Sequence, residues 1–237
     1  MSSARLSWLK FGLIAPALLL FAAGPAAADE AAQIRQLQAQ VAALTGKVQK
    51  LDDEAAIRDV LRRYARGLDR HDVALESSAF WPDAQVNYGF FSGSRDAFVE
   101  WGNATHAANY ARHEHHITNQ SVEIQGDKAE VESYVIFFLR GKDEQTTYIG
   151  GARYIDRMER RHGQWRIAVR EFLPDIMIQA NSVFAGKFAK LMCPPGGCGT
   201  WDKSDLSYVP ALPRRSGPPT GQQQVAVPAL APPGEPK

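Results

Sequence analysis

Two short stretches of the chain carry residue types that can perform proton-transfer chemistry. The first ends a predicted helix and reads Tyr64-Ala-Arg-Gly-Leu-Asp69, and the second reads His113-Glu-His-His-Ile-Thr-Asn119. A carboxylate and an imidazole that meet in a pocket make a general base with its own orienting group. Such a pair needs no metal, nucleotide or organic cofactor. The sequence therefore predicts a cofactor-free enzyme that removes a proton.

The histidine-rich stretch also allows a different interpretation, a metal site. Along a strand His113 and His115 share one face, while Glu114 and His116 point to the other. Because this alternation keeps the four side chains from converging on one ion, we predict no metal ligand among them. His71 follows Asp69 closely and is predicted to be a surface loop residue.

The N-terminus reads as a targeting signal. Arg5 and Lys10 accompany an apolar run of eleven residues from Phe11 to Phe21, which is short for a bilayer span. Ala26-Ala27-Ala28 supplies the small residues that a signal peptidase needs, so the mature chain is predicted to start at Asp29 and to be periplasmic or secreted. A retained membrane anchor is the alternative.

The charge and the cysteines fit an exported protein. Removal of residues 1–28 takes away two basic residues and lowers the net charge from +1 to about −1, which predicts no nucleic-acid partner. Cys193 and Cys198 lie in Cys-Pro-Pro-Gly-Gly-Cys, and in an oxidising compartment we predict a small disulfide-closed loop. Residues 209–237 hold eight of the fourteen prolines and are predicted to be disordered.

Residues 29–51 form a predicted helical lead-in. Its apolar residues follow the 3, 4 spacing of a heptad seam: Ile34, Leu37, Val41, Leu44, Val48 and Leu51. Two interpretations are open, a short coiled coil that assembles subunits and one amphipathic helix lying along the body of the protein. Gly46 inside the seam weakens both.

The remaining pattern predicts an α+β domain over residues 52–184, followed by a Cys-containing segment over 185–208. A helical stripe of Ile57, Leu61, Tyr64 and Leu68 has a plausible start at Asp52 and Asp53. A short helix follows Asp72, Trp81-Pro82-Asp83 breaks the chain, and a strand covers 85–90. A helix over 95–108 and four strands over 115–124, 128–140, 146–160 and 164–173 complete the prediction. Gly150-Gly151 in mid-strand predicts a bulge that curves the sheet around a cavity.

These motifs resemble those of the SnoaL-like branch of the nuclear transport factor 2 superfamily. The resemblance covers about residues 54–184 and is carried by Ala56–Asp69, Trp81–Ala84, His115-x-x-Thr-Asn119, Tyr148–Gly151 and Glu159-Arg-Arg-x-Gly-x-Trp165. It implies a cone-shaped α+β fold, in which helices pack on a curved antiparallel sheet that encloses a pocket. The branch includes scytalone dehydratase, a bile-acid dehydratase, the lindane dehydrochlorinase and a diarylpropane deformylating lyase, together with non-catalytic binding proteins.

The resemblance also implies roles for particular residues. Asp69 and His115 match the catalytic dyad of the branch, His115 being four residues before Asn119. Tyr64 matches a pocket tyrosine, and Arg170 matches a pocket arginine that would stabilise developing negative charge. On strand alternation, Arg170 is expected to face away from Trp165.

Four further residues are predicted to contact substrate: Asn119, Tyr148, Phe90 and Trp101. Aromatic walls around a dyad suit a ring-bearing, mostly apolar small molecule with one or two hydroxyl groups.

The favoured function is a cofactor-independent lyase that eliminates water or releases formaldehyde. The alternatives are a non-catalytic periplasmic ligand-binding or assembly module, and an isomerase or cyclase with the same dyad. A small-molecule substrate is the expected partner, stable membrane insertion after processing is not expected, and the resemblance implies a homotrimer or homodimer.

Overall fold

The computed structural model describes residues 25–182 and 199–208 of the chain. The signal-peptide prediction falls mostly on residues outside these ranges, as do the predicted Cys193–Cys198 disulfide and the predicted disordered tail. The chain divides into two units, with the boundary between Asp52 and Asp53. No helix among the described residues has both the length and the apolarity that crossing a bilayer requires.

The first unit is helical in its described part. Helix α1 is assigned from Pro25 to Asp69, so its first half lies in this unit. The six side chains of the heptad seam are all exposed: Ile34, Leu37, Val41, Leu44, Val48 and Leu51. The predicted helix start at Asp52 and Asp53 is wrong, because α1 passes through both residues.

The second unit contains the end of α1, two more helices, a six-stranded sheet and a 3₁₀ turn at Leu206–Tyr208. The elements that follow α1 are α2 (Val73–Ser77), β1 (Phe80–Asn87), β2 (Ser92–Ser94), α3 (Arg95–Asn109), β3 (Tyr110–Gln125), β4 (Lys128–Gly141), β5 (Thr146–Arg161) and β6 (Gln164–Asn181). Side chains of Asp72 and Ser94 cap α2 and α3, as expected of these residue types. The predicted helices and long strands are present, and β6 extends further than predicted.

The sheet is curved and unclosed, with the strand order β2-β1-β6-β5-β4-β3. Its neighbours pair antiparallel except for β1 and β6, which are parallel. The predicted α+β architecture is confirmed, with this parallel pair as a correction to the all-antiparallel expectation. The register between β5 and β6 shifts between Gly151 and Ala152, where Gly150-Gly151 had predicted an irregularity.

The predicted chain break at Trp81-Pro82-Asp83 is wrong. These residues lie inside β1, where the register jumps from Phe80–Ile167 to Gln85–Val169. The irregularity accommodates a proline that cannot donate to a regular ladder. The indole of Trp81 donates to the carbonyl of Glu159 at 3.0 Å, which holds this part of β1 against β5.

The core lies between the second half of α1 and the inner face of the sheet. Buried α1 residues recur at helical spacing and face aromatic and aliphatic side chains of β1, α3 and the long strands. Asp53 ties the helix to the sheet, because its Oδ1 accepts from the indole of Trp165 at 2.8 Å and from Arg160 at 2.9 Å. These contacts hold the second half of α1 against the sheet.

A close approach between α1 and α2 brings Glu76 against Gly67. The amide of Asp72 donates to the carbonyl of Gly67 at 2.8 Å, so the chain turns tightly after α1. Any Cβ on Gly67 would overlap the backbone N and Cα of Glu76, whereas a Cβ on Gly102 in α3 would meet nothing. Backbone atoms cannot move aside as a flexible side chain can, so only glycine fits at position 67.

Gly67→Ala is expected to destabilise the protein by about 3 kcal/mol, because the new methyl group separates α1 from α2. The matched change Gly102→Ala is expected to leave stability unchanged or to raise it by up to about 1 kcal/mol, the usual gain from helix propensity. Urea denaturation followed by circular dichroism measures both. Equal effects of the two substitutions would contradict the close approach at Gly67.

Glu76 itself is a fully buried carboxyl group, with Oε2 accepting from the amide of Asn103 at 2.8 Å. Burial raises the pKa of Glu76 from 4.5 to about 8. Above pH 4.5 an unfolded chain releases this proton, whereas the folded chain keeps it until about pH 8. The contribution of Glu76 to stability is therefore lost as the pH rises through this window.

Glu76→Gln mimics the protonated acid, so it is expected to match the wild type near pH 5 and to exceed it by a few kcal/mol near pH 8. Thermal unfolding across this pH range measures the difference. Glu100→Gln, at an exposed position of α3, serves as the control and should follow the wild-type curve. A constant offset between Glu76→Gln and wild type at every pH would refute the buried-acid assignment.

Candidate active site

Asp69 and His115 meet where the last residue of α1 reaches β3. Oδ1 of Asp69 lies 2.7 Å from Nδ1 of His115, and Oδ2 accepts the backbone N–H of His115 at 2.9 Å. Because an ionised carboxylate only accepts, Nδ1 carries the ring proton and Nε2 keeps its lone pair. The two bonds fix both the tautomer and the position of the imidazole.

His113, two residues earlier on the same face of β3, makes a second bond to the helix end. Its Nε2 donates to the carbonyl of Leu68 at 3.0 Å, a carbonyl at the end of α1 that also accepts the backbone N–H of His71 at 3.2 Å. Burial lowers the pKa of His113 to about 4, so this imidazole is neutral at ordinary pH. His113 therefore supports the end of α1.

The described part of the C-terminal segment packs on the turn that follows Asp69. The indole of Trp201 lies against the rings of His71 and His113, with centroids 5.0 and 5.2 Å away. Arg70 pairs with Asp205 at 3.5 Å. His71 lies in the turn after α1, as predicted, but it is half-buried and its Nδ1 donates to Oδ1 of Asn103 at 2.8 Å.

His115 lies in the wall of an apolar pocket of about 470 Å³. The pocket is bounded mainly by aromatic and aliphatic side chains of α1, the segment between β1 and β2, α3, β3, β4, β5 and β6, among them Tyr64, Tyr88, Phe90, Trp101, His106, Tyr154, Phe172, Ile176 and Met177. Its size and lining suit a ring-bearing small molecule. Asp69 and His115 also line a second cavity, of about 800 Å³, whose lining includes Arg58, Arg62 and Arg66 of α1.

Three of the other predicted residues lie at this pocket. The hydroxyl of Tyr64 is 2.9 Å from the hydroxyl of Tyr88, and both tyrosines are wall residues. Trp101 lies further along the wall and contacts Phe90 at a centroid distance of 5.7 Å. Phe90 is 75% exposed, which places it at the rim of the pocket.

Arg170 does not line the pocket, so the prediction that it stabilises charge on a substrate is wrong. Its Nε and Nη2 donate to the two carboxylate oxygens of Asp156, each at 2.7 Å, and both side chains are fully buried. The guanidinium lies 4.2 Å from the ring centroid of Tyr64 and 4.1 Å from that of Tyr154. Aromatic rings therefore separate it from the cavity.

The expected orientation of Arg170 is wrong because of a bulge. Val169 pairs with Arg157 and Ile167 pairs with Met158, so Ala168 has no partner on β5. The extra residue shifts the alternation of β6 by one position. Arg170 is consequently buried on the core side together with Trp165 and Ile167.

Asn119 and Tyr148 are outside the pocket lining as well. Asn119 adopts a left-handed backbone with φ 46°, inside the interval from Thr118 to Ser121 where the β3–β4 register shifts. Asparagine is among the residues that tolerate this conformation, which explains its presence there. Tyr148 packs partly buried against the core. Both residues serve the sheet rather than the cavity.

Sequence reasoning missed His106, which lines the pocket from α3. Its ring is stacked on that of His115 with a centroid distance of 5.6 Å and an angle of 19°. The helical spacing of Phe98, Gly102 and His106 on one face of α3 was the available signal. Within residues 25–182 and 199–208, no group of three or more His, Cys, Asp or Glu side chains is placed to hold a metal ion.

Comparisons with solved structures find the same fold elsewhere. A candidate scytalone dehydratase from Novosphingobium aromaticivorans matches with a TM-score of 0.52 and 22% identity, covering 60% of this chain and 99% of that one. A type 2 hexachlorocyclohexane dehydrochlorinase matches with a TM-score of 0.55 and 21% identity, covering 60% and 98%. A type 3 dehydrochlorinase from Novosphingobium barchaimii matches with 0.53 and 20%, covering 56% and 94%. These similarities concern the fold.

No curated protein sequence matches the chain. The family model described as a SnoaL-like domain matches residues 49–171, which is more than half of the chain and includes α2, α3, β1 to β5, Asp69 and His115. Since the fold and the matched residues agree, the chain belongs to the SnoaL-like family.

Proposed function

We propose that the protein is a cofactor-independent lyase in which His115 removes a proton from a hydroxylated, ring-bearing substrate. The observation that carries the proposal is the Asp69–His115 pair, joined at 2.7 Å, with His115 in the wall of an apolar pocket. Membership of the SnoaL-like family and the fold shared with dehydratase and dehydrochlorinase structures support it.

The geometry defines the proton-transfer step. A substrate in the pocket presents a C–H or O–H bond to the lone pair on Nε2 of His115, and the proton moves to that nitrogen. Asp69 stabilises the imidazolium that forms and keeps the ring in place. In a dehydration, the electron pair of the C–H bond forms a double bond, the neighbouring C–O bond breaks, and the leaving hydroxyl takes the proton from Nε2 of the His115 imidazolium and departs as water.

Release of formaldehyde uses the same base differently. His115 takes the proton of a hydroxymethyl O–H, the C–C bond breaks as the C=O bond of formaldehyde forms, and the carbanion that remains is protonated by the imidazolium. Both reactions conserve protons and need no redox partner. The apolar lining keeps water away from the base, which favours proton transfer to and from substrate.

A cluster of tyrosine hydroxyls is placed to stabilise negative charge on oxygen. Burial raises the pKa of Tyr64, Tyr88 and Tyr154, so all three keep their protons. The hydroxyls of Tyr64 and Tyr88 are 2.9 Å apart. A substrate oxygen that replaces one of these mutual contacts receives a hydrogen bond in a dry site, where it is worth more than in water.

His115→Gln is expected to lower turnover by roughly 10²–10⁴, the usual contribution of a general base. The assay incubates purified protein with aryl and polycyclic alcohols and follows new unsaturation by absorbance and released aldehyde by derivatisation. His116→Gln is the matched control, because His116 is exposed on the opposite face of the same strand and contacts Glu114. It should retain wild-type turnover.

Two outcomes would decide against the lyase. If no alcohol turns over and His115→Gln binds aromatic ligands as well as wild type does, the protein is a ligand-binding module. If turnover is found but is abolished by EDTA, a metal takes part and the cofactor-free mechanism fails.

We also propose that the mature protein starts at Asp29 in the periplasm or outside the cell, contains the Cys193–Cys198 disulfide, and self-associates. The exposed heptad seam of α1 supports the self-association.

Mass spectrometry of protein secreted by its host should give the mass of residues 29–237, less two hydrogens for the disulfide. Native mass spectrometry should give a dimer or trimer, which Leu37→Asn with Leu44→Asn should weaken. A full-length monomer would contradict both the cleavage and the self-association, and a mass without the loss of two hydrogens would contradict the disulfide.

A further inference from the structure

His106 is the one pocket histidine to which the mechanism above gives no role. It lies in the last turn of α3, with its ring packed edge-on against His113 at 4.3 Å and against Tyr110 at 5.6 Å. The ring is also stacked on His115. These contacts fix the plane of the imidazole, so its two nitrogens point in defined directions.

The two nitrogens of His106 have different surroundings. Nδ1 is buried and has no hydrogen-bond partner among the described residues. The residue lines the pocket, so Nε2 is the nitrogen that can meet a bound molecule. A buried N–H without an acceptor is unfavourable and rare. The tautomer with the proton on Nε2 avoids it and presents an N–H donor to the pocket.

The surroundings also keep His106 neutral. Burial and the neighbouring imidazoles of His113, His115 and His71 lower its pKa to about 2. When His115 takes a proton, the added positive charge next to His106 disfavours a second one. A neutral imidazole in this position acts as a hydrogen-bond donor throughout a reaction cycle, a role that neutral histidine fills in other active sites.

We propose that His106 donates a hydrogen bond from Nε2 to an oxygen of the substrate, next to the atom that His115 deprotonates. The proposal rests on the pocket being the substrate site of the proposed lyase. It makes His106 a catalytic residue, which selects substrates with a hydroxyl, ether or carbonyl oxygen near the reacting carbon. It also fills the role that the sequence assigned to Arg170, whose Nε and Nη2 are held by Asp156.

A binding experiment tests the donor without any need for turnover. The probes are 2-methoxynaphthalene and 2-ethylnaphthalene, which have nearly the same shape and differ in an oxygen that can only accept a hydrogen bond. The lone pair on Nε2 of His115 cannot donate to this oxygen, so only donors are detected. Equilibrium dialysis gives the dissociation constant of each probe. Wild type should bind the ether roughly 3- to 10-fold more tightly, as one neutral hydrogen bond provides.

Three substitutions of His106 separate donation from packing. Glutamine places its amide nitrogen near the position of Nε2, and asparagine places it near that of Nδ1. His106→Gln should keep the preference for the ether, whereas His106→Asn and His106→Leu should lose it. Circular dichroism confirms that each variant folds. If the leucine variant fails to fold, the comparison of glutamine with asparagine still decides.

Thr105→Val, which removes a hydroxyl from a neighbouring pocket position of α3, is the control for another donor in the wall and should keep the preference. The proposal is overturned if wild type shows no preference for the ether, if the preference survives in His106→Leu or His106→Asn, or if Thr105→Val or His106→Gln abolishes it. None of these results affects the turnover assay of His115→Gln. The two proposals therefore fail separately.

Discussion

The join between the end of α1 and β3 is the contact on which the rest of the site depends. The carboxylate of Asp69 holds His115 by two bonds, and His113 binds the neighbouring carbonyl of Leu68. One face of β3 thus donates hydrogen bonds both to the charged side chain of Asp69 and to a carbonyl in the last turn of α1. The same contacts decide which nitrogen of His115 is free and where it points. Structure and chemistry here rest on the same few hydrogen bonds.

Gly67 makes this join possible from the helix side. Its missing side chain lets α2 approach the last turn of α1, and the chain turns sharply at His71, whose φ is 48°. A longer or looser turn would leave the position of Asp69 to a flexible loop. Sites held by helix ends and strands are more precise than sites held by loops, which suits a base that has to meet one proton.

Local patterns predicted most of the fold and the acid–base pair. The stripe on α1 and the alternation of the long strands reflect burial, and burial follows side-chain type closely. The misassigned residues fail for a different reason. A single unpaired residue, Ala168, moves the side chain of Arg170 to the opposite face of β6 from the one predicted. Asn119 has a left-handed backbone at an irregularity of β3, so it serves the strand and does not contact the pocket. Register shifts of this kind leave no periodic signal.

His106 was missed because a lone histidine on a helix does not reveal its neighbours. Its position beside His115 depends on the packing of α3 against β3. A contact between two different elements leaves no local pattern in the sequence. The faces of the histidine-rich strand, by contrast, follow from strand alternation, so the sequence alone separates His113 and His115 from Glu114 and His116.

The buried ion pair between Arg170 and Asp156 and the exposed rim of the pocket differ in their tolerance to substitution. The ion pair lies in the core next to the rings of Tyr64 and Tyr154. Removing either of its partners would leave an isolated buried charge, which is strongly destabilising. The rim of the pocket is largely exposed at Phe90, Ile176 and Met177, so substitutions there disturb little packing. Substitutions at the rim can therefore change which molecules enter the pocket while the ion pair stays intact. We expect both natural divergence and protein engineering to alter substrate choice in this way.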